Sequence, residues 1–256
     1  MDHDRLFKEL LTAFFFEFLE LFFPTLATLV DRSQEPEFLD TQGETNQEST
    51  RIADLMVRLR LLEGEACFIV HLEHEAQDKG SVPARMYRYF SRAWDRYQLP
   101  VYPIAILSFP GLKPEPQSYS LKFHDRPMLD FRYRTVQLNQ LNWSDFLNNP
   151  NPLASALMAR MKIRKCDRPQ VKVECLRLLA TLRLDREKSK LISRFVDSYL
   201  RMTAREMRVY EEILETIPPG ERQVVMQYTT SWKEEGRREG REEGLQEGLA
   251  KASRRD

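Results

Sequence analysis

Cysteine, histidine and long uncharged apolar runs are all scarce in this chain, and each shortage excludes something. Only three cysteines occur in 256 residues: Cys67, Cys166 and Cys175. The number is odd, the three are far apart, and no CxxC pair exists. That excludes a disulfide framework and a paired-cysteine zinc site, and it fits a reducing cytoplasm. The four histidines, His3, His71, His74 and His124, show no zinc-ligand spacing. The apolar stretch 13–30 is interrupted by Glu17, Glu20 and Pro24. A membrane-crossing helix needs about 20 nearly uncharged residues. The stretch also lacks a basic start and a small-residue cleavage site, so it reads as a buried core helix ending near Pro24 and not as a signal peptide or anchor. Net charge is missing too. Lys+Arg and Asp+Glu number 39 each, so the totals name no partner.

What is present is a core and an uneven distribution of charge. A hydrophobic fraction of 42% and an aromatic fraction of 11% support a packed interior. Residues 1–50 carry 3 basic and 11 acidic side chains, and residues 158–208 carry 15 basic and 6 acidic. Such segregation suits cation contact on one part and phosphate contact on another, or simply solvated helix faces.

Periodicity divides the chain. Leu6, Leu10, Phe14, Phe18 and Leu21 keep helical spacing over 4–21. Residues 36–41 predict a short strand and 43–50 a polar loop. Alternation over 52–61 predicts a strand, and the apolar run 66–72 a more central one, with Glu63-Gly64 turning between them. Residues 82–98 predict the clearest helix. Tyr87, Phe90, Trp94 and Tyr97 form an expected core stripe, beside a basic stripe of Arg85, Arg88, Arg92 and Arg96. That basic stripe is either a solvated face or a phosphate track. Residues 101–109 predict a buried strand, and 118–124 and 129–138 predict edge strands. Helices are expected at 153–165, 170–183, 187–202 and 204–216, ended by Pro218-Pro219-Gly220. Beyond these, Gly236, Gly240, Gly244 and Gly248 recur every four residues among Glu, Arg and Lys. Each glycine costs a helix interior up to about 1 kcal/mol relative to alanine. This tail is either a weak helix able to self-associate or a disordered segment.

Two acids carry the chemistry. Asp54 lies ten residues before Gly64 and Glu73 nine after it. A hairpin turning there makes them cross-strand neighbours. Carboxylates held together repel unless a cation or a proton bridges them. Mg²⁺ suits such a pair, because it takes a few carboxylate oxygens and keeps waters for a phosphate substrate.

The element order α-β-β-β-α-β, with Asp54 on one hairpin strand and Glu73 on the next, resembles the PD-(D/E)xK nuclease superfamily. More narrowly it resembles the Rpn-type family of recombination-promoting nucleases and transposase-like proteins. Four stretches carry the likeness: Asp2-His3-Asp4-Arg5-Leu6-Phe7-Lys8-Glu9-Leu10-Leu11, Arg51-Ile52-Ala53-Asp54-Leu55, Val70-His71-Leu72-Glu73-His74-Glu75-Ala76-Gln77, and Arg85-Met86-Tyr87-Arg88-Tyr89-Phe90. The resemblance covers roughly residues 1–110 and the charged tail. It implies a restriction-endonuclease-like α/β core over 1–140; the residue pattern itself adds a helical region over 141–220 and a charged glycine-repeat tail, helical or disordered, over 221–256. It implies DNA as substrate, Mg²⁺ (or Mn²⁺) as cofactor, and no membrane. Asp54 and Glu73 would ligate the metal, with the His74 carbonyl as third ligand. Glu75 stands where the superfamily has lysine and this family often glutamine. Glutamate can act as a base toward water, but it cannot stabilise phosphate charge. Gln77 would share water positioning, and Arg85, Arg88 and Arg92 would contact the nucleic acid. Glu9 is a further candidate ligand or a solvated helix acid. The alternative reading is a nuclease fold without catalysis that binds nucleic acid or protein and assembles through the tail.

Overall fold

The computed structural model describes residues 3–39, 54–73, 82–108, 116–182 and 184–228, with backbone alone at 54, 65, 67 and 69–73. It opens with α1 (His3–Ala13) and α2 (Phe15–Phe22), followed by the single turn α3 (Pro24–Ala27). One continuous helix was expected over 4–21. The chain bends instead at Phe14, where φ is −132° and ψ 39°. The reason lies in the run Phe14-Phe15-Phe16, which is too apolar for one face. The bend sends Phe7 against Phe195, with ring centroids 5.2 Å apart, while Phe15 meets Phe68 at 6.2 Å. Phe7, Phe14 and Phe18 are fully buried. Burial of this kind stabilises by about 1.5–3 kcal/mol per side chain.

The fold is mixed α/β. Strands β1 (Glu37–Leu39), β2 (Asp54–Leu61) and β3 (Gly64–Glu73) form an antiparallel meander. Helix α4 (Val82–Tyr97) then returns the chain to β4 (Val101–Leu107), which is parallel to β3. A two-residue turn, Leu62-Glu63, joins β2 to β3, and Gly64 follows at φ +134°. Glycine adopts that conformation without the steric cost a Cβ would bring. Beyond β4 come β5 (Ser118–Phe123) and β6 (Arg126–Arg132), a separate hairpin, and β7 (Arg134–Gln137), which joins the main sheet parallel to β4. The main order is β1-β2-β3-β4-β7. The single strand expected over 129–138 is therefore two, parted at Tyr133, where the chain leaves the hairpin for the sheet.

Alternation assigns the two faces of this sheet to different cores. Leu55, Val57, Leu59, Ala66, Phe68, Ile104 and Ile106 face a large cluster with α1 and α2. Ala105 and Leu107 face a smaller one with Val82, Met86, Phe131 and Tyr133. The expected aromatic core stripe of α4 is corrected here. Its buried positions are Val82, Pro83, Arg85, Met86 and Ala93, while Trp94 is 45% exposed. Tyr87 and Phe90 instead flank the helix and pack on Phe131 of the hairpin.

The C-terminal helices are α5 (Pro152–Leu157), α6 (Arg168–Thr181), α7 (Arg186–Tyr199) and α8 (Ala204–Thr216). The helix expected over 153–165 is shorter. It tightens into a 3-10 turn at Met158–Arg160, and Lys162 then bridges to Asn142. Pro218-Pro219-Gly220 interrupts the helical set but does not end it, because residues 219–228 are again helical. Proline is tolerated in a helix's first turn, where its missing N–H has no partner to lose.

These helices bury Leu153, Val171, Leu176, Phe195 and Val225 in the same cluster as α1, α2 and the sheet. The boundary expected at 140 thus marks a change of secondary structure within one shared core. Ion pairs at the rim of that core tie its elements together. Arg194 of α7 pairs with Glu9 of α1, Arg168 with Glu206 at 2.9 Å, and Arg177 with Glu221 at 2.9 Å. The charged tail lies outside the described residues.

Candidate metal and nucleic-acid site

Three parallel strands, β3, β4 and β7, end at the same edge of the main sheet, and antiparallel β2 begins there. Asp54 is the first residue of β2 and Glu73 the last of β3. The expected direct pairing of the two is corrected by the register. Asp54 lies opposite His71, and Glu73 stands two positions further along β3. The turn is centred on Leu62-Glu63, one residue earlier than expected, which shifts every partner by two. Alternation nevertheless keeps positions 54, 71 and 73 on one face. Such diagonal positions are about 7–8 Å apart, within reach of long side chains. In the parallel direction Glu73 pairs with Leu107 and His71 with Ala105. The acidic positions therefore belong to the face that carries the smaller core and α4.

Helix α4 runs back along that face from the carboxyl end of β3 to the start of β4. Its 16 residues span about 24 Å, close to the length of β4. Its first turns are therefore level with Glu73 and Leu107, and its last with Val101. This explains why one arginine stripe has two environments. Arg85 is 6% exposed beside Val82 and Met86, at the acidic end of the sheet, whereas Arg88 and Arg92 are exposed. Arg85 is thus a buried residue near the carboxyl end of the sheet, and Arg88 and Arg92 belong to the exposed side of the same helix. His74, Glu75 and Gln77 follow directly on Glu73 and lie outside the described residues.

Glu9, the further candidate ligand, is held elsewhere. It accepts from Arg5 at 3.0 Å and from Arg194, on the side of α1 that meets α7. Among the described residues no group of three or more His, Cys, Asp or Glu side chains is placed to hold a metal.

Sequence reasoning missed one group at this edge. Arg160 ends the 3-10 turn after α5, and its Nη2 donates to the carbonyl of Ser108. Ser108 is the residue after Leu107, the partner of Glu73. The Arg160 guanidinium also lies 4.6 Å from the centroid of the Tyr199 ring. His3 lies against that ring in a tilted arrangement with centroids 4.8 Å apart, and its Nδ1 is 3.1 Å from Ser198 Oγ. Burial, and then the neighbouring Arg160 cation, hold the His3 imidazole below its usual range. Burial likewise lowers Arg160. No periodicity marks Arg160 in the sequence, because its position depends on a turn packing back onto a strand 52 residues earlier.

No family model matches the chain, and no curated protein or solved structure matches it. No helix among the described residues is long and apolar enough to cross a membrane.

Proposed function

We propose that the chain is a metal-dependent DNA endonuclease of the PD-(D/E)xK type, resembling the Rpn-type family and serving DNA recombination or transposition in the cytoplasm. The observation that carries this reading is the shared placement of Asp54 and Glu73: one face, one sheet edge, one diagonal step apart. Two hard oxygen donors at such positions suit Mg²⁺ or Mn²⁺, with the His74 carbonyl as a further donor. When bound, the metal would supply Lewis acidity toward a phosphoryl oxygen and a water of lowered pKa. The chain's own residues would do the rest. Asp54 and Glu73 would hold the cation. Glu75 and Gln77 would orient the attacking water. Arg85 would balance charge from within the site, while Arg88 and Arg92 would hold the DNA backbone without reading its sequence.

The test is nicking of supercoiled plasmid by the full chain in Mg²⁺ or Mn²⁺, beside EDTA and the Asp54→Ala and Glu73→Ala variants. Metal-dependent nicking lost in both variants, with circular dichroism unchanged, is the expected result. Nicking retained in both would remove the acids from the mechanism and sink the proposal.

A second reading rests on Glu75, which cannot supply the charge of the superfamily's lysine. In it the fold binds nucleic acid without cutting it and assembles as a homo-oligomer through the glycine-repeat tail. It expects salt-sensitive DNA binding, no nicking in either metal, and a smaller particle when residues 233–256 are removed.

A further inference from the structure

Among the described residues, no carboxylate balances the charge of Arg160. Its Nη2 donates to the Ser108 carbonyl and its plane rests on Tyr199, contacts that satisfy a dipole and a ring face. Its Nε is buried with no hydrogen-bond partner. No carboxylate lies within ion-pair distance of it among the described residues. Arginine remains protonated in proteins. Even a half-buried cation without a counter-charge is less stable than one that an anion joins.

Position narrows the choice of anion. The Ser108 carbonyl that anchors Arg160 is one residue past Leu107, which pairs with Glu73 across one strand spacing of about 4.8 Å. Arg160 comes to this edge from the face of the large core, and the acidic positions belong to the opposite face. The two flank one sheet edge, where ligands of parallel-strand folds gather outside the carboxyl ends of the strands.

We propose that Arg160, positioned by Ser108 and Tyr199, is an anion subsite that takes a phosphoryl oxygen of the nucleic-acid backbone beside the acidic edge. This rests on the nuclease reading and adds to it the charge that Glu75 does not provide. With Nη2 engaged by Ser108 and Nε buried, the remaining Nη1 is the donor left for a phosphoryl oxygen, and guanidinium is the weaker-hydrated cation of the two basic side chains.

The test compares the full chain with Arg160→Gln and Arg160→Lys in two assays. In the first, inorganic phosphate in EDTA is titrated at constant ionic strength against chloride, and the melting temperature is read. The wild type should be raised by phosphate, Arg160→Gln should show no rise, and Arg160→Lys a smaller one. No rise in the wild type, or an equal rise in Arg160→Gln, overturns the subsite. In the second, plasmid nicking by Arg160→Gln should fall ~100-fold, the usual scale for losing one donor to a developing negative charge. Undiminished nicking in Arg160→Gln also overturns it. If the wild type itself fails to nick, the nuclease reading fails, and the phosphate assay still decides the subsite. Arg160→Lys guards against misfolding, since it keeps the charge and most of the packing.

Discussion

Single residues in this molecule carry unequal shares of its stability, and burial decides which. Lys172 is the clearest case. Its ammonium pairs with Asp197, donates to the Leu200 carbonyl at 3.3 Å and lies 5.9 Å from the Tyr210 ring centroid. The Lys172 side chain is 7% exposed and that of Asp197 33%. Removing either partner leaves the other unpaired, but only Lys172 is then stranded away from water. Asp197→Asn should therefore cost about 3 kcal/mol, and Lys172→Met distinctly less, in urea unfolding. The reverse order would show that the lysine finds water. Gly64 makes a separate point. No atom lies within 4 Å of a Cβ built there, so space is not the constraint. The constraint is its φ of +134°, and Gly64→Ala should destabilise by about 1 kcal/mol or more through backbone strain alone. An unchanged midpoint would mean that the turn had relaxed.

At the scale of elements, caps and registers set where things begin. Helix α8 starts with a capping box: the Thr203 hydroxyl accepts from the Glu206 N–H at 3.3 Å, and the Glu206 carboxylate accepts from the Thr203 N–H at 2.8 Å. That second bond, with help from the Thr203 hydroxyl and Arg168, holds Glu206 below the usual carboxylate range. A depressed folded-state pKa contributes stability that is present above the unfolded value and lost as pH falls through the folded one. Thr203→Ala should cost about 1 kcal/mol at neutral pH. Its penalty should shrink in acid, because the wild type loses the same interaction there. A penalty constant from neutral to acid pH would show that Glu206 plays no part in the cap. The β2–β3 hairpin shows the same dependence on local detail. A turn displaced by one residue moved Asp54 from Glu73 to His71 as its direct partner, yet left the acidic positions on one face. A period of two forgives a shift of two.

For the whole molecule, the large core joins both sides of residue 140. Phe7 and Leu11 of α1, Phe68 of β3, Leu157 of α5 and Phe195 of α7 belong to it together. A fragment ending at 140 would expose the inner faces of α1 and α2. It should therefore fail to fold as a monomer, and limited proteolysis of the full chain should yield no stable 1–140 product. A well-dispersed NMR spectrum from that fragment would refute this. The exposed Arg88 and Arg92 sit apart from that core. On the nuclease reading, each change to Gln should leave the melting temperature unchanged. Each should also lower the salt slope of DNA binding by about one, which filter binding across salt concentrations would measure.

Much of the fold was legible in the chain because it is written in local periods. The hairpin strands, α4, β4 and the helices α6, α7 and α8 follow from apolar spacing of two or 3.6 residues and from nearby turn residues. The acids Asp54 and Glu73 were legible because a hairpin is a local structure. The break at Phe14, the parting of β6 from β7, the exposure of Trp94 and the burial of Arg85 were not. Each depends on which surface a distant segment offers, and no window of sequence contains both partners. Arg160 depends most on this, since a turn in the helical half had to fold back onto the end of β4 before its charge stood beside the acidic edge. The sequence by itself determined most of the elements and put Asp54 and Glu73 on neighbouring strands of one hairpin. The tertiary structure alone decided which arginines lie inside, because burial is a property of packed neighbours and not of spacing.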